Sequence, residues 1–183
     1  MNASYGTPPP SSANEERWST RVRLDGALPP VWAHCGATAD MLGELYARQA
    51  ARQGGNANEA RHGINYLVNE LMENAIKFRD AQFDAVEVMA LLEDGVFEIR
   101  VVNHAAPEVA ERFQGILAEL TGRDPGELLL ERIEANAMGD DAGASGLGIL
   151  TLMNDYGAQF GWHLVREDAA RPVLVSTHAS LRL

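Results

Sequence analysis

Asn65-Tyr-Leu-Val-Asn-Glu-Leu-Met-Glu-Asn-Ala-Ile-Lys-Phe78, with Ser145-Gly-Leu-Gly-Ile149 far downstream, decides how this chain is read. On a helix, Glu70 and Asn74 are four residues apart and share one face, one side chain above the other. The Asn74 carboxamide oxygen can ligate Mg²⁺, and the Glu70 carboxylate can take a proton from an attacking hydroxyl. Gly146 and Gly148 flank Leu147, and such a Gly-Leu-Gly run lets backbone approach phosphates at a helix start. The two segments together read as a nucleotide site.

Working outward, residues 1–16 are rich in Pro, Ser, Asn and Gly and read as a disordered tail, which leaves 17–183 as a single domain. Trp18 to Leu24 suits a short strand, and Met41, Leu42, Leu45 and Tyr46 recur at helical spacing within 38–53, before Gly54-Gly55. Asn58 is the expected cap of the helix that ends near Phe78. Asp84 to Leu92 and Val96 to Val102, joined through Glu-Asp-Gly, form a hairpin signal. Two short helices are expected between Pro107 and Ala137, a flexible loop over 138–145, and a helix from Gly146 to Asp155. Phe160 to Arg166 and Val173 to Leu183 read as closing strands. The fold class is α+β, with antiparallel hairpins and the helices on one face.

The 183 residues carry a formal net charge of −11 and no basic run, which argues against a nucleic-acid binder. No apolar run approaches the roughly 18–20 residues that span a bilayer, and no signal pattern opens the chain, so a cytoplasmic location is expected. The lone Cys35 fits a reducing compartment and reads as a small buried thiol. The five histidines have no metal-ligand spacing; His104 reads as a loop residue lining a pocket.

Asn69-Glu-Leu-Met-Glu-Asn-Ala-Ile-Lys-Phe78 resembles the N-box of the GHKL ATPases, and Gly143-Ala-Ser-Gly-Leu-Gly-Ile149 resembles their second glycine box. Order and spacing match over roughly residues 60 to 166. The resemblance implies the Bergerat fold of histidine-kinase-like ATPases. That is a two-layer sandwich with a mixed, mostly antiparallel sheet, helices on one face and a helical ATP lid, here 104–145. Carried over by position, it implies Asn74 as the Mg²⁺ ligand, Glu70 as the base and Lys77 near the phosphates. Gly143, Ser145, Gly146, Leu147 and Gly148 would cradle ATP, and Asn103 would contact the base.

Histidine kinases usually have Asn where Glu70 stands, so the pattern is nearest the anti-sigma-factor serine kinases of the SpoIIAB and RsbW type and the SiaB-like partner-switching kinases. A base at this position suits a serine or threonine hydroxyl that loses its proton as it attacks. The implied partners are a STAS-domain anti-sigma-factor antagonist and, in the same circuit, a PP2C phosphatase. A homodimer through the 38–53 helix is implied as well. One departure is plain. The family's first glycine box opens with an Asp that takes the adenine amine and has two glycines, whereas Val102-Asn-His-Ala-Ala-Pro107 has Asn103 and no glycine. A neutral acceptor loses on the order of 1 kcal/mol against a carboxylate. Two readings therefore stay open: a serine/threonine protein kinase using Mg²⁺-ATP, or an interaction module of the same fold that does not use ATP.

Overall fold

Val96–Ala105 alternates half-buried and buried residues without a break, and this strand organises the sheet. The computed structural model describes residues 2–7, 17–25, 32–80, 82–83, 85–137, 146–168 and 171–183. Its elements are β1 (Asn2–Gly6), β2 (Thr20–Leu24), α1 (Trp32–Arg52), α2 (Ala57–Lys77), β3 (Val86–Glu93) and β4 (Val96–Ala105), followed by α3 (Pro107–Gly122), α4 (Pro125–Ala137), α5 (Leu147–Asp155), β5 (Gln159–Val165) and β6 (Val173–Arg182). The strands form one six-stranded sheet in the order β1-β5-β6-β4-β3-β2. Each of its pairings is antiparallel, so the sheet expected as mixed and mostly antiparallel is antiparallel throughout the described strands.

Register fixes the faces. Phe97, Ile99 and Val101 of β4 point inward with Val88, Ala90, Val175 and Ala179, and the apolar residues of all five helices join them in one core. On α2, Ile64, Leu67, Val68, Leu71, Met72 and Ala75 are buried at the spacing of one helix face. Each large side chain of that stripe contributes about 1.5–3 kcal/mol by leaving water. α1 lies along α2, and its Tyr46 O–H donates to the Ala90 carbonyl at 2.8 Å, tying helix to sheet. Cys35 on α1 is fully buried, as a small apolar thiol would be. The hairpin turn takes the expected form, with Asp94 at φ 50° and Gly95 at φ 71°, the two left-handed residues of a tight turn.

Three sequence expectations change. The composition of 1–16 suggested a disordered tail, yet Asn2–Gly6 is a strand paired with β5. The edge of β5 offers unpaired backbone groups, and Tyr5 adds an anchor by packing on the core and donating to Gln114 Oε1 at 3.1 Å. Gly6 and Gly161 permit the contact, since a Cβ on Gly161 would lie 1.9 Å from the Thr7 carbonyl oxygen. Residues 8–16 lie outside the described residues. The second change is at the start of α2, where Asn56 rather than Asn58 is the cap, its side chain accepting from the Asn58 and Glu59 N–H groups. Third, His104 belongs to β4 and not to a loop. No described helix is long and apolar enough to cross a membrane.

The outer face of the sheet carries a second, small cluster in which Trp18 covers Met89 and Leu91. His178 is buried beside it, its Nε2 at 3.4 Å from Glu98 Oε2, its ring 6.4 Å from that of Trp18. Burial pushes the imidazole pKa below the ordinary 6.5; Glu98 opposes this, and the Arg100 and Arg17 guanidiniums reinforce it. The unfolded chain therefore takes up a proton that the folded chain refuses, so stability is complete above about pH 6.5 and falls as pH drops below it. Urea denaturation between pH 8 and pH 5 should show a midpoint that declines more steeply in the wild type than in His178→Asn. Parallel declines would remove His178 as the source.

Candidate functional site

The buried stripe of α2 leaves Glu70 and Asn74 on its flank, half-buried, turned toward α5 and the sheet. There the two sequence segments meet. A Cβ on Gly148, in the first turn of α5, would lie 1.9 Å from Glu70 Oε2 and 2.1 Å from its Cδ. The Glu70 carboxylate thus fills the space that any side chain at 148 would need. Gly148 was expected to let its backbone N–H meet phosphates; in the folded chain its missing Cβ also leaves room for the Glu70 carboxylate.

Burial raises the Glu70 pKa, and the nearby Glu73 carboxylate raises it further. Glu73 is engaged from the other side by the Asn69 amide, which donates to its Oε1 at 2.6 Å. Tyr66, one turn before Glu70, has its own pKa raised by burial and by Glu70, while a hydrogen bond with Thr151 of α5 opposes the rise. A partly desolvated carboxylate with an elevated pKa is a stronger proton acceptor than an ordinary one.

Below this contact a cavity of about 270 Å³ opens between α2, α3, α5 and the inward face of the sheet. Asn74, Asn103 and Gly146 all line it, so three residues from separate elements converge there. Its walls are otherwise mostly apolar: Leu71, Phe78, Phe113, Ile116 and Trp162 among them. Asn103 is only 5% exposed and occupies an inward slot of β4, opposite Val175 of β6. A polar residue among the otherwise apolar inward positions of a strand is the kind of exception found at binding sites. Trp162 also lines the cavity, and its indole N–H has no hydrogen-bond partner among the described residues.

At the cavity's edge, Gly146 is the N-cap of α5, left-handed at φ 90°, and as a glycine it has no side chain to cap the helix. The first-turn N–H groups of α5 form a positive helix end. Arg132 of α4 adds to it: its Nη1 would lie 2.7 Å from a Cβ on Gly146. Its Nη2 is meanwhile held 3.0 Å from Glu119 Oε2 of α3. Helix end and guanidinium together offer an anion two kinds of charge-assisted donor.

The remaining expected residues fall elsewhere. Lys77 is exposed in the last turn of α2, its ammonium 5.2 Å from the centre of the Phe78 ring, and does not line the cavity. Leu147 opens α5 beside the cavity without lining it. Gly143 and Ser145 lie outside the described residues. Of the expected lid 104–145, His104 and Ala105 complete β4, while α3 supplies the cavity wall with Phe113 and Ile116. His104 faces away from the cavity, packing at 5.5 Å against the Phe83 ring on the outer side. Sequence reasoning missed Arg132, Thr177 and the cavity role of Trp162. The last two were legible only as inward positions of strands, and Arg132 carried no signal beyond a charge on an amphipathic helix.

A thermodynamic cycle tests the Glu70–Gly148 contact. Gly148→Ala should destabilise the wild type by about 1–3 kcal/mol through overpacking. In a Glu70→Ala background the same change should cost at least about 1 kcal/mol less, a coupling typical of touching residues. Additive effects in urea denaturation would show that the two do not compete for space.

The sequence matches no protein-family model, and no curated protein resembles it closely enough to count. Among solved structures, the fold is similar to a chain in the crystal structure of the SiaB–SiaC complex from Pseudomonas aeruginosa, at a TM-score of 0.63 and 14% identity, covering 90% of this chain and 91% of that one.

Proposed function

We propose that this chain is a GHKL-type ATP-binding regulator that transfers phosphate from Mg²⁺-ATP to a serine or threonine of a small partner protein. The observation that carries the reading is the meeting of Glu70 and Gly148 above a cavity that Asn74, Asn103 and Gly146 share. Two motifs more than seventy residues apart in the chain come together there, which supports reading them as one site. The likeness of fold to a chain of the SiaB–SiaC complex supports a regulator that works by binding another protein. We read the partner as a STAS-type antagonist, with a PP2C phosphatase reversing the modification.

The residues present fit Mg²⁺ and a triphosphate. The Asn74 amide oxygen is a hard ligand of the type Mg²⁺ accepts alongside phosphate oxygens. The positive end of α5, with Arg132, suits anionic phosphates, and the apolar walls suit a base. Bound there, Mg²⁺ would neutralise charge developing on the transferred phosphoryl group. Glu70 would accept the proton of the partner's hydroxyl as its oxygen bonds to the terminal phosphorus and the bond to the leaving diphosphate breaks. Glu70 can do this only when deprotonated, so transfer should rise with pH through a pKa above the ordinary carboxylate range.

A second reading has its own observation. Asn103 stands where the family has a carboxylate, and that favours an interaction module that binds its partner without ATP.

Calorimetric titration separates the two. Saturation by Mg²⁺-ATP below about 1 mM supports the kinase reading, and no heat up to that concentration supports the inert module. Asn74→Ala should abolish Mg²⁺-dependent binding; unchanged binding would sink the site assignment. Glu70→Gln should keep binding and lower transfer by about 10²–10⁴-fold. Because the folded chain favours protonated Glu70, its stabilising contribution is lost as pH rises through the raised pKa. Glu70→Gln should therefore melt higher than the wild type at pH 7.

A further inference from the structure

The polar groups at the sheet end of the cavity share one property. Asn103 carries an amide and Thr177 a hydroxyl, and each group both donates and accepts hydrogen bonds. No carboxylate lines the cavity among the described residues. The Asn103 amide is also not locked: its hydrogen bond runs from Nδ2 to the carbonyl of the adjacent His104, at 3.5 Å. That length is at the limit of a hydrogen bond, so the amide is only weakly held, and a ligand that donates or accepts in its place can set its orientation. An amide held this way can offer a ligand either its oxygen or its nitrogen.

Resting on the nucleotide reading above, we propose that the cavity reads a purine through the Asn103 amide and takes 6-amino and 6-oxo purine nucleotides alike. A 6-aminopurine presents an N–H donor at position 6, and a 6-oxopurine presents an oxygen acceptor there. Asn103 Oδ1 accepts from the first; after rotation, Nδ2 donates to the second. A carboxylate in the same slot can only accept, and would set its lone pairs against the 6-oxo group. Thr177 has the same freedom, since its hydroxyl hydrogen turns to suit its partner. The unpartnered indole N–H of Trp162 adds a donor to the same cavity wall, which is no obstacle to an oxygen-bearing base. Arg112 also lines the cavity, its Nε donating to the Glu108 carbonyl of its own helix, while the opposite edge carries both the N-terminus of α5 and Arg132; we place the phosphates at that edge and the base at the Asn103 end.

Full-length protein titrated with Mg²⁺-ATP and, separately, with Mg²⁺-ITP tests this, because the two differ only on the face that Asn103 would read. Dissociation constants within about fivefold of each other are expected. A wild-type preference for either beyond that overturns the inference and leaves the nucleotide reading standing. Binding of neither removes both. Asn103→Asp should move the ratio toward ATP by about tenfold or more, since a site offering only acceptors leaves the 6-oxo group without a donor. An unchanged ratio in a folded Asn103→Asp protein also overturns the inference. Should that variant not fold, the two wild-type titrations decide the matter alone.

Discussion

The apolar stripe of α2, from Ile64 to Ala75, presses on the inward residues of β4 and β6, and the rest of the molecule is arranged around that contact. With that face committed to the core, the remaining faces of α2 have fixed roles. One side meets α1 along its length. The flank toward α5 carries Glu70 and Asn74, and both are held half-buried because the helix beneath them cannot turn. The strict alternation of β4 does the same from below, setting Asn103 inward and His104 outward by strand geometry alone. The polar side chains around the cavity are thus positioned by apolar neighbours.

The contact between Glu70 and Gly148 is then a consequence with a cost. A carboxylate packed against a helix turn, near Glu73, is partly stripped of water and has its pKa raised. Stability alone would favour an uncharged side chain there. The carboxylate nonetheless gives α2 and α5 a shared contact directly over the cavity. Changes in α3 and α4 act on the same place, since α3 supplies a wall and Arg132 of α4 rests on the Gly146 turn.

Much of the fold could be read from the sequence because local signals agreed with tertiary demands. The Asp94-Gly95 turn, the two helices between Pro107 and Ala137 and the final strands all follow from short-range chemistry. The N-terminal strand did not, since Asn2–Gly6 has little propensity of its own and is ordered by the open edge of β5. Asn58 was a plausible cap by residue type, but Asn56 has the extended backbone that lets its side chain reach back to two N–H groups. The site was legible in part. Glu70, Asn74, Asn103, Gly146 and Gly148 converge, while Lys77 turns to solvent because the helix ends beneath it.

The sequence by itself determined the α+β class, the polar pair on one helix face and the glycines that open α5. Those follow from spacing and from residue types, which are local properties. Only the tertiary structure decided that the Glu70 carboxylate packs beside Gly148, that the Asn103 amide lies buried with a single long hydrogen bond to the His104 carbonyl, and that Arg132 stands at the positive end of α5. Each of these depends on which surfaces remain free after the core has packed, and spacing along the chain carries no information about distances across it.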